Sequence, residues 1–159
     1  MKSEKQRELI DKYPKFFDHC ADKKIYTGEK PVMEEVAELV NQEEMIIPIQ
    51  FGFECGDGWF WLLDQLMSRI CSYCEWNKVE VPQVMQIKEK YGRLCFYING
   101  GNDMINGMVW LAEDMSGSIC ETCGTNVNVG QTQGWVYTIC EVCREKNPRA
   151  QDLEWTPTN

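Results

Sequence analysis

The stretch CETCGTNVNVGQTQGWVYTICEVC, residues 120–143, contains two Cys-x-x-Cys pairs. The 16 residues 124–139 separate the pairs, and this spacing is typical of a zinc site. Zinc binds four thiolates at the corners of a tetrahedron, and each Cys-x-x-Cys turn brings two thiolates together. Iron in a rubredoxin-like site is the alternative metal. The sequence therefore predicts a zinc site with the ligands Cys120, Cys123, Cys140 and Cys143.

The residues between the pairs predict a hairpin that returns the second pair to the first. Gly130 and Gly134 supply turns, and the run Trp135–Ile139 has the composition of a strand. Gly124 follows the first pair and permits a tight turn around a metal. We therefore expect a zinc ribbon over residues 118–147. Because four sulfur ligands leave no open position, we expect a structural rather than a catalytic metal.

The rest of the chain predicts an α+β fold, with helices packed on a small antiparallel sheet and the C-terminal zinc ribbon beside it. Apolar residues at helical spacing predict four helices, over residues 3–13, 32–44, 59–76 and 104–116. Alternating residues predict a β-hairpin, with strands over residues 83–88 and 93–98 and a turn near 89–92. The segment 45–53 contains Pro48 and predicts an edge strand or an extended segment.

Four parts follow from this pattern: an N-terminal helix and loop (1–30), an α+β core (31–117), the zinc ribbon (118–147) and a loose tail (148–159). Side chains that can cap helices are Ser3, Asp57 and either Asn102 or Asp103. The buried side of the helix over 59–76 is predicted to be Leu62, Leu63, Leu66, Met67 and Ile70. For the helix over 104–116 the inward residues are predicted to be Met104, Ile105, Met108, Val109, Ala112 and Met115.

The charge argues against extensive binding of nucleic acid. The formal net charge is −9, and residues 31–159 carry eight basic against nineteen acidic residues. Nucleic-acid affinity comes largely from Lys and Arg side chains that neutralise phosphates. The acidity therefore favours a basic protein surface, or a small ligand in a local pocket, as the polar partner, although solubility alone also explains it.

The chain shows no signal for a membrane or for secretion. No apolar run reaches the ~18–20 residues that cross a bilayer. The N-terminal sequence MKSEKQRELIDKYP lacks the apolar region of a secretory signal. We therefore expect a cytoplasmic protein without a membrane partner. In a reducing compartment, nine cysteines favour metal binding or burial over disulfides.

The other cysteines give a weaker pattern. Cys71 and Cys74 form a third Cys-x-x-Cys pair, but they lie within a predicted helix, where buried free cysteines are common. Core packing is therefore favoured over a second metal or redox site. Cys55 and Cys95 could join this pair in space, which the sequence leaves open.

The hairpin turn is one candidate ligand site. Lys88, Lys90 and Arg93 flank Tyr91 there, and cations beside an aromatic ring can hold a phosphate or a nucleotide. A solvated hairpin tip is the alternative interpretation, and we favour it.

The turn before the helix over 59–76 is the second candidate. Anions bind at helix N-termini, which makes Asp57 and Trp59 candidate ligand-contacting residues. The negative charges of Glu54 and Asp57 oppose that role. A helix cap above a packed Trp59 or Trp61 is the favoured alternative.

Catalytic motifs are missing from the sequence. We find no nucleophile elbow, P-loop or dinucleotide fingerprint. The single histidine, His19, leaves no Ser–His–Asp or Cys–His arrangement to propose. These observations disfavour an enzyme, while a carboxylate-based hydrolase stays open.

Several motifs together resemble one family. In order, they are KYPKFF (12–17), ECGDGWF (54–60), QIKEKYGRLCFY (86–97), AEDMS (112–116), CETCG (120–124), GW (134–135) and CEVC (140–143). They are similar to an uncharacterised family of small phage and bacterial proteins that ends in a four-cysteine zinc ribbon. That family more often has Gly-Leu-Arg-Phe-Tyr at residues 93–97, so a basic residue is shifted here by two positions. The resemblance implies phage association and a zinc-binding end, hence the host cytoplasm if the chain is phage-encoded.

Two functions follow as hypotheses. The first is a non-enzymatic zinc-binding phage accessory protein that binds a host protein, with counter-defence inhibition as one form of that role. Acidity, a closed metal site, six tryptophans and the missing catalytic motifs favour it. The alternative is a module that binds a nucleotide signal or nucleic acid through the hairpin with Lys88, Lys90 and Arg93.

Overall fold

The computed structural model describes residues 1–20, 25 and 48–158. The helices in this part are α1 (Ser3–Lys12), α2 (Phe60–Asn77), α3 (Asp103–Ser116) and α4 (Glu141–Glu145). The strands are β1 (Phe53–Glu54), β2 (Gln83–Lys90), β3 (Arg93–Asn99), β4 (Val129–Thr132), β5 (Thr138–Cys140) and β6 (Trp155–Pro157). The predicted α+β class is confirmed. The helix predicted over 32–44 lies outside the described residues.

The first sheet has the strand order β1-β2-β3 and contains the predicted hairpin. Lys90 at the end of β2 pairs with Arg93 at the start of β3, so the turn consists of Tyr91 and Gly92 alone. Both turn residues have positive φ, 52° and 73°, which suits the twist of a two-residue hairpin turn. At the sheet edge, β1 pairs in parallel with β2. The prediction of an edge strand or extended segment over 45–53 was wrong for Pro48–Phe51, which form a 3-10 helix, and the strand begins only at Phe53.

The main core lies between α2 and the inner face of this sheet. All positions predicted to be buried on α2 are buried, and so are the inward hairpin residues Val84, Ile87, Leu94 and Phe96. α1 contributes Leu9 to the same core, and the single-turn helix Pro14–Phe16 contributes Phe16. The N-terminal helix therefore packs with the elements that follow residue 48 and shares their hydrophobic core.

Helix α3 covers the outer edge of β3. The backbone N–H groups of Leu94 and Phe96 donate to Ser116 Oγ (2.9 Å) and Glu113 Oε1 (2.8 Å). A strand edge that would otherwise be open to another chain is thereby satisfied by helix side chains. The predicted cap of α3 is confirmed, since Asn102 Oδ1 accepts the N–H of Ile105 at 3.2 Å.

The inward side predicted for α3 was partly wrong. Met104 and Met115 are 56% and 42% exposed, although Ile105, Val109 and Ala112 are buried as expected. The cause is the position of α3 at the sheet edge, where it buries only a narrow row of side chains.

Two predicted caps were also wrong. Ser3 lies inside α1, after the N-cap residue Lys2, whose own side chain makes no capping bond. Asp57 does not cap α2, which begins after Trp59 without a side-chain cap. Instead, Asp57 Oδ1 accepts the backbone N–H of Lys2 at 2.7 Å, so its carboxylate stabilises the start of α1.

The second sheet has the order β5-β4-β6 and forms the region that the sequence predicted to be a zinc ribbon. Its third strand comes from residues 148–158, the segment predicted to be a tail, and Gly130 of β4 pairs with Pro157 of β6. A Cβ at Gly130 would lie 2.5 Å from the Trp155 indole, so glycine lets this ring pack on the sheet. No helix in the described ranges is both long and apolar enough to span a bilayer.

Candidate metal centre

The structure brings the four cysteines of the two ribbon pairs together. Their Sγ atoms all lie within 4.8 Å of one another, and the sulfurs of Cys123 and Cys140 are 3.8 Å apart. A tetrahedral site with Zn–S bonds of about 2.3 Å has sulfur–sulfur edges of about 3.8 Å. The four residues Cys120, Cys123, Cys140 and Cys143 are free thiols, and their spacing fits a metal ion at the centre.

The first pair sits on a tight turn after α3. The N–H of Gly124 donates to the carbonyl of Cys120 at 2.8 Å, and the N–H of Cys120 donates to the carbonyl of Thr125 at 2.8 Å. Gly124 has a φ of +82°, which few side-chain-bearing residues adopt. The predicted role of this glycine is therefore confirmed by the backbone geometry.

The second pair lies at the junction of a strand and a helix. Cys140 is the last residue of β5 and the N-cap of α4, whose third residue is Cys143. The predicted hairpin is confirmed, because β4 and β5 are antiparallel and return Cys140 to the first turn.

Backbone N–H groups favour a thiolate at Cys120. Burial acts to raise the pKa of this thiol, but the N–H groups of Cys140, Cys123 and Thr122 outweigh it and lower the pKa below its usual value. Burial raises the pKa values of the Cys123 and Cys143 thiols. Without a metal, the thiols of this site therefore differ in how readily they lose a proton. A bound cation would stabilise them as thiolates.

The donor set defines the chemistry of the site. Four thiolates suit zinc or iron, and they leave no coordination position for a substrate. Among residues 1–20, 25 and 48–158, these cysteines form the one group of three or more metal-binding side chains close enough to share an ion. The four cysteines thus form a cluster that could hold a metal ion of the structural kind.

The first metal-binding turn is docked on the turn Gly56–Trp59. The N–H groups of Gly56 and Gly58 donate to Glu121 Oε1 and to the Glu121 carbonyl, each at 2.8 Å. A Cβ at Gly58 would lie 2.1 Å from the carbonyl oxygen of Cys120. Burial raises the pKa of Glu121. Gly56 and Gly58 therefore allow the backbone of their turn to touch the backbone of the turn that contains Cys120 and Cys123.

The aromatic residue of this turn belongs to the core. Trp59 is fully buried, and its indole N–H donates to the carbonyl of Ile119 at 3.0 Å. Trp61, by contrast, is exposed. The carboxylate of Asp57 is engaged by Lys2, whose Nζ lies 3.6 Å from Oδ2. We therefore assign the turn to packing and to the capping of α1, with its aromatic ring held away from solvent.

The hairpin turn contacts the second sheet in the same way. Thr138 Oγ1 donates to the carbonyl of Gly92, and a Cβ at Gly92 would lie 2.7 Å from Val136 Cγ1. Glu89 Oε1 accepts the N–H of Gly92 at 2.6 Å. Both turns that the sequence singled out as candidate ligand sites therefore join the ribbon to the core.

The three hairpin cations share one face of the sheet but have separate partners. Lys88 Nζ lies 5.3 Å from the centre of the Tyr97 ring, and Lys90 Nζ lies 5.5 Å from that of Tyr91. Arg93 pairs with Asp114 of α3 at 2.8 Å. They form a row of individually paired cations rather than a preformed phosphate pocket.

The remaining candidate cysteines are packed in the protein. Cys74 is buried, and its Sγ lies 3.5 Å from the Glu80 carbonyl. Burial raises the pKa of Cys55 to about 12 and also raises the pKa values of Cys71 and Cys74. Thiols held in the protonated form make poor metal ligands and poor nucleophiles.

Sequence reasoning missed one feature of the surface. The side of α3 that faces away from the core is rich in apolar residues, including Trp110, Leu111 and the two exposed methionines. The signal was present, because α3 has more apolar positions than one buried row can hold.

Comparison with known proteins adds no relative. The chain matches no protein-family model, and it is similar to no curated protein and to no solved structure. The class of protein is therefore defined by the structure itself, as an α+β domain with a C-terminal cluster of four cysteines that could hold a metal.

Proposed function

We propose that the protein is a non-enzymatic, zinc-stabilised phage accessory factor that binds a host protein in the host cytoplasm, and that it acts as an inhibitor of a host defence component. The observation that carries the binding role is the exposure of four tryptophans. Trp61, Trp76, Trp110 and Trp135 expose between 60% and 86% of their surface. Tryptophan is costly to leave in water and is enriched at the energetic centres of protein interfaces.

The donor set supports zinc as the metal. Four cysteine sulfurs at tetrahedral spacing fit Zn²⁺ in its closed, structural form. The metal then stabilises the ribbon, and chemistry at the ion has no part in the proposed function.

Two half-buried carboxyl groups also fit a non-enzymatic role. Burial raises the pKa values of Glu113 and Glu121, a property often found in catalytic acids. Each of them, however, accepts a backbone N–H, from Phe96 and Gly56 respectively. Their position supports a role in holding α3 and the ribbon against the first sheet.

A capture experiment tests the binding role. The zinc-loaded chain would be immobilised, exposed to host lysate and washed, and the retained proteins would be quantified by mass spectrometry. We expect a stoichiometric protein partner whose recovery falls at least tenfold with the double substitution Trp76→Gln and Trp110→Gln. The matched control is Val127→Gln with Val142→Gln, two exposed apolar residues of the ribbon region. Equal recovery with both double variants, or no partner at all, would contradict the proposal.

A nucleotide or nucleic acid at the hairpin is the second candidate function. Tyr91 is exposed beside Lys90, and the exposed Trp135 precedes Val136, which would touch a Cβ at Gly92. Two aromatic rings next to cations can stack on bases. Thermal-shift measurements with cyclic and ADP-ribose-type nucleotides, and salt-dependent retention of DNA or RNA, would test it. A stabilisation that Tyr91→Ala abolishes would support this function, and no shift and no retention would exclude it.

A further inference from the structure

Helix α3 carries three rows of side chains, each with the spacing i, i+4, i+7, i+11, which places its members on one side of a helix. The buried row is Ile105, Val109, Ala112 and Ser116. The row next to it on the solvent side is Met104, Met108, Leu111 and Met115. The following row is Asp103, Gly107, Trp110 and Asp114.

The second of these, the methionine–leucine row, lies open at the surface. Met104, Leu111 and Met115 are 56%, 53% and 42% exposed, and Met108 is half-buried. With a rise of 1.5 Å per residue, the row is about 16 Å long. Contiguous apolar surface of this kind marks an interaction site, and flexible thioether side chains adapt well to a partner.

Acidic residues border this row. α3 contains Asp103, Glu113 and Asp114 but no Lys, Arg or His. Asp103 and Asp114 belong to the adjacent row, and the bond between Asp114 and Arg93 joins two side chains that are more than half exposed. Water and salt weaken such a surface pair, so a partner's cation can replace it.

The same charge continues at the end of α2. Asn102 Nδ2 donates to Tyr73 Oη at 3.1 Å, which places the last turns of α2 beside the start of α3. Glu75, Lys78 and Glu80 are exposed in that region, together with Trp76, so two acids outnumber one cation there. An apolar strip with an acidic border is complementary to an apolar strip with a basic border.

Two other modes of binding fit this surface less well. Addition of a partner strand at β3 is blocked, because the N–H groups of Leu94 and Phe96 already donate to α3. Pairing with α3 of a second copy would bring Asp103 and Asp114 towards the same acids of that copy, and like charges at an interface repel.

We infer that the methionine–leucine row of α3 is the docking site for a basic amphipathic helix of a protein partner. The apolar side of that helix covers Leu111 and the methionines, and its Lys or Arg residues approach Asp103 and Asp114. This mode is the binding of a helix along an apolar surface. The inference rests on the proposed binding function and specifies the chemistry of the partner.

A designed peptide tests it at physiological salt. The probe is an 18-residue helical peptide of Leu, Ala and Lys, with Leu on one side, and the control peptide has Glu in place of every Lys. Fluorescence anisotropy would measure the affinity of the zinc-loaded full chain for both. We expect at least tenfold tighter binding of the Lys peptide and a further gain at low salt.

Substitution of Leu111 separates docking from simple charge attraction. Leu111→Glu adds a negative charge, which would strengthen any non-specific attraction to the Lys peptide. Docking on the row predicts the opposite, a loss of at least tenfold, because a carboxylate enters the apolar contact. The matched control, Val127→Glu, adds the same charge at an exposed apolar site of the ribbon region and should leave the affinity within twofold.

Several outcomes would overturn the inference. These are equal affinity for the two peptides, no binding of the Lys peptide, or unchanged or tighter binding with Leu111→Glu. A chain that is dimeric by light scattering and becomes monomeric with Leu111→Glu would assign the row to a second copy instead. If the peptide test fails while a tryptophan-dependent host protein is still captured, the binding function stands and only the basic helix is excluded.

Discussion

The two sheets of this protein are stabilised in different ways. The first sheet lies against α2 and encloses large, fully buried side chains, among them Trp59, Phe16 and Phe96. The second sheet has a much smaller cluster, made of Cys120, Val129, Ile139, Cys140 and Ala150, and two of these five are metal-binding cysteines. A region with so little apolar material needs a metal or a neighbour to stay folded. The ribbon docks on the core, and it also contains the four-cysteine cluster that could hold a metal.

Because the ribbon docks on the core, the glycine-containing motifs and the exposed apolar surface lie in different places. The turns at residues 56–58 and 91–92 touch the ribbon, and a Cβ at Gly56, Gly58 or Gly92 would lie within 3 Å of a ribbon atom. The exposed apolar residues of α3 belong to no such junction. The glycine-containing motifs thus hold the two regions together, whereas the exposed apolar surface lies on α3, which carries the motif AEDMS (112–116).

The largest expected effect comes from the metal ligands. Cys120→Ser should abolish metal binding and unfold residues 118–158, since structural zinc contributes on the order of 10 kcal/mol to small zinc domains. α2 should stay folded, because its buried residues belong to the main core cluster, which is separate from the cluster of the ribbon. Circular dichroism and zinc analysis by mass spectrometry would measure both. Cys71→Ser, at a half-buried thiol of α2 outside the four-cysteine cluster, is the control and should keep the metal. A folded, zinc-loaded Cys120→Ser variant would show that Cys120 is not a ligand.

The second-largest effect is expected at the junction between the core and the ribbon. Gly58→Ala should destabilise the protein by about 1–3 kcal/mol, because the new methyl group would collide with the backbone at Cys120. Gly107→Ala is the matched control: a Cβ there meets nothing within 4 Å, and alanine should stabilise α3 by about 0.5–1 kcal/mol. Urea unfolding would measure both changes. Equal effects of the two substitutions would contradict the close contact at Gly58.

A smaller effect is expected at the second contact of the junction. Thr138→Val removes a buried hydroxyl that donates to the carbonyl of Gly92, and should cost about 1 kcal/mol. Thr125→Val, in the first metal-binding turn, removes a hydroxyl that only accepts a local N–H from Val127 and serves as the comparison. Hydrogen exchange at residues 89–92 should rise with the first substitution and stay unchanged with the second.

The smallest expected effect is a change in stability that depends on pH and arises in the core alone. Asp64 accepts the Tyr13 hydroxyl at 2.8 Å and pairs with Lys12 at 2.7 Å. Burial acts to raise the pKa of Asp64, but these partners hold it below its usual value. A lowered folded-state pKa stabilises the protein above the unfolded value, near 4, and that stabilisation is lost as the pH falls through the folded pKa. Asp64→Asn should therefore destabilise slightly at pH 7 and make no difference to urea unfolding near pH 2; an equal deficit at both values would be inconsistent with this pairing.

Features set by local spacing could be predicted from the sequence. The two Cys-x-x-Cys pairs, the buried side of α2 and the hairpin each depend on residues close together in the chain, so their periodicity is enough. The same holds for Asn102, whose cap bond joins it to the residue three positions later.

Features that depend on packing between distant elements could not be predicted from the sequence. Asp57 caps a helix that begins more than fifty residues earlier, and β6 finds its partner β4 across the ribbon. Met104 and Met115 were expected inward, since apolar spacing alone does not show which of two rows is buried when a helix lies at a sheet edge. Gly58 carried no signal of a contact with Cys120, because that contact joins residues far apart in the chain.

The central claim is that the metal keeps the ribbon folded, while the core and α3 stay folded without it. Hydrogen exchange with and without metal tests this claim. The zinc-loaded chain would be compared with the same chain after chelation, under reducing conditions, by mass spectrometry of peptides. We predict a loss of protection over residues 118–158 and in the docked turn at 56–58, with α2 and α3 protected as before. Unchanged protection of the ribbon after chelation, or collapse of α2 together with it, would contradict the account.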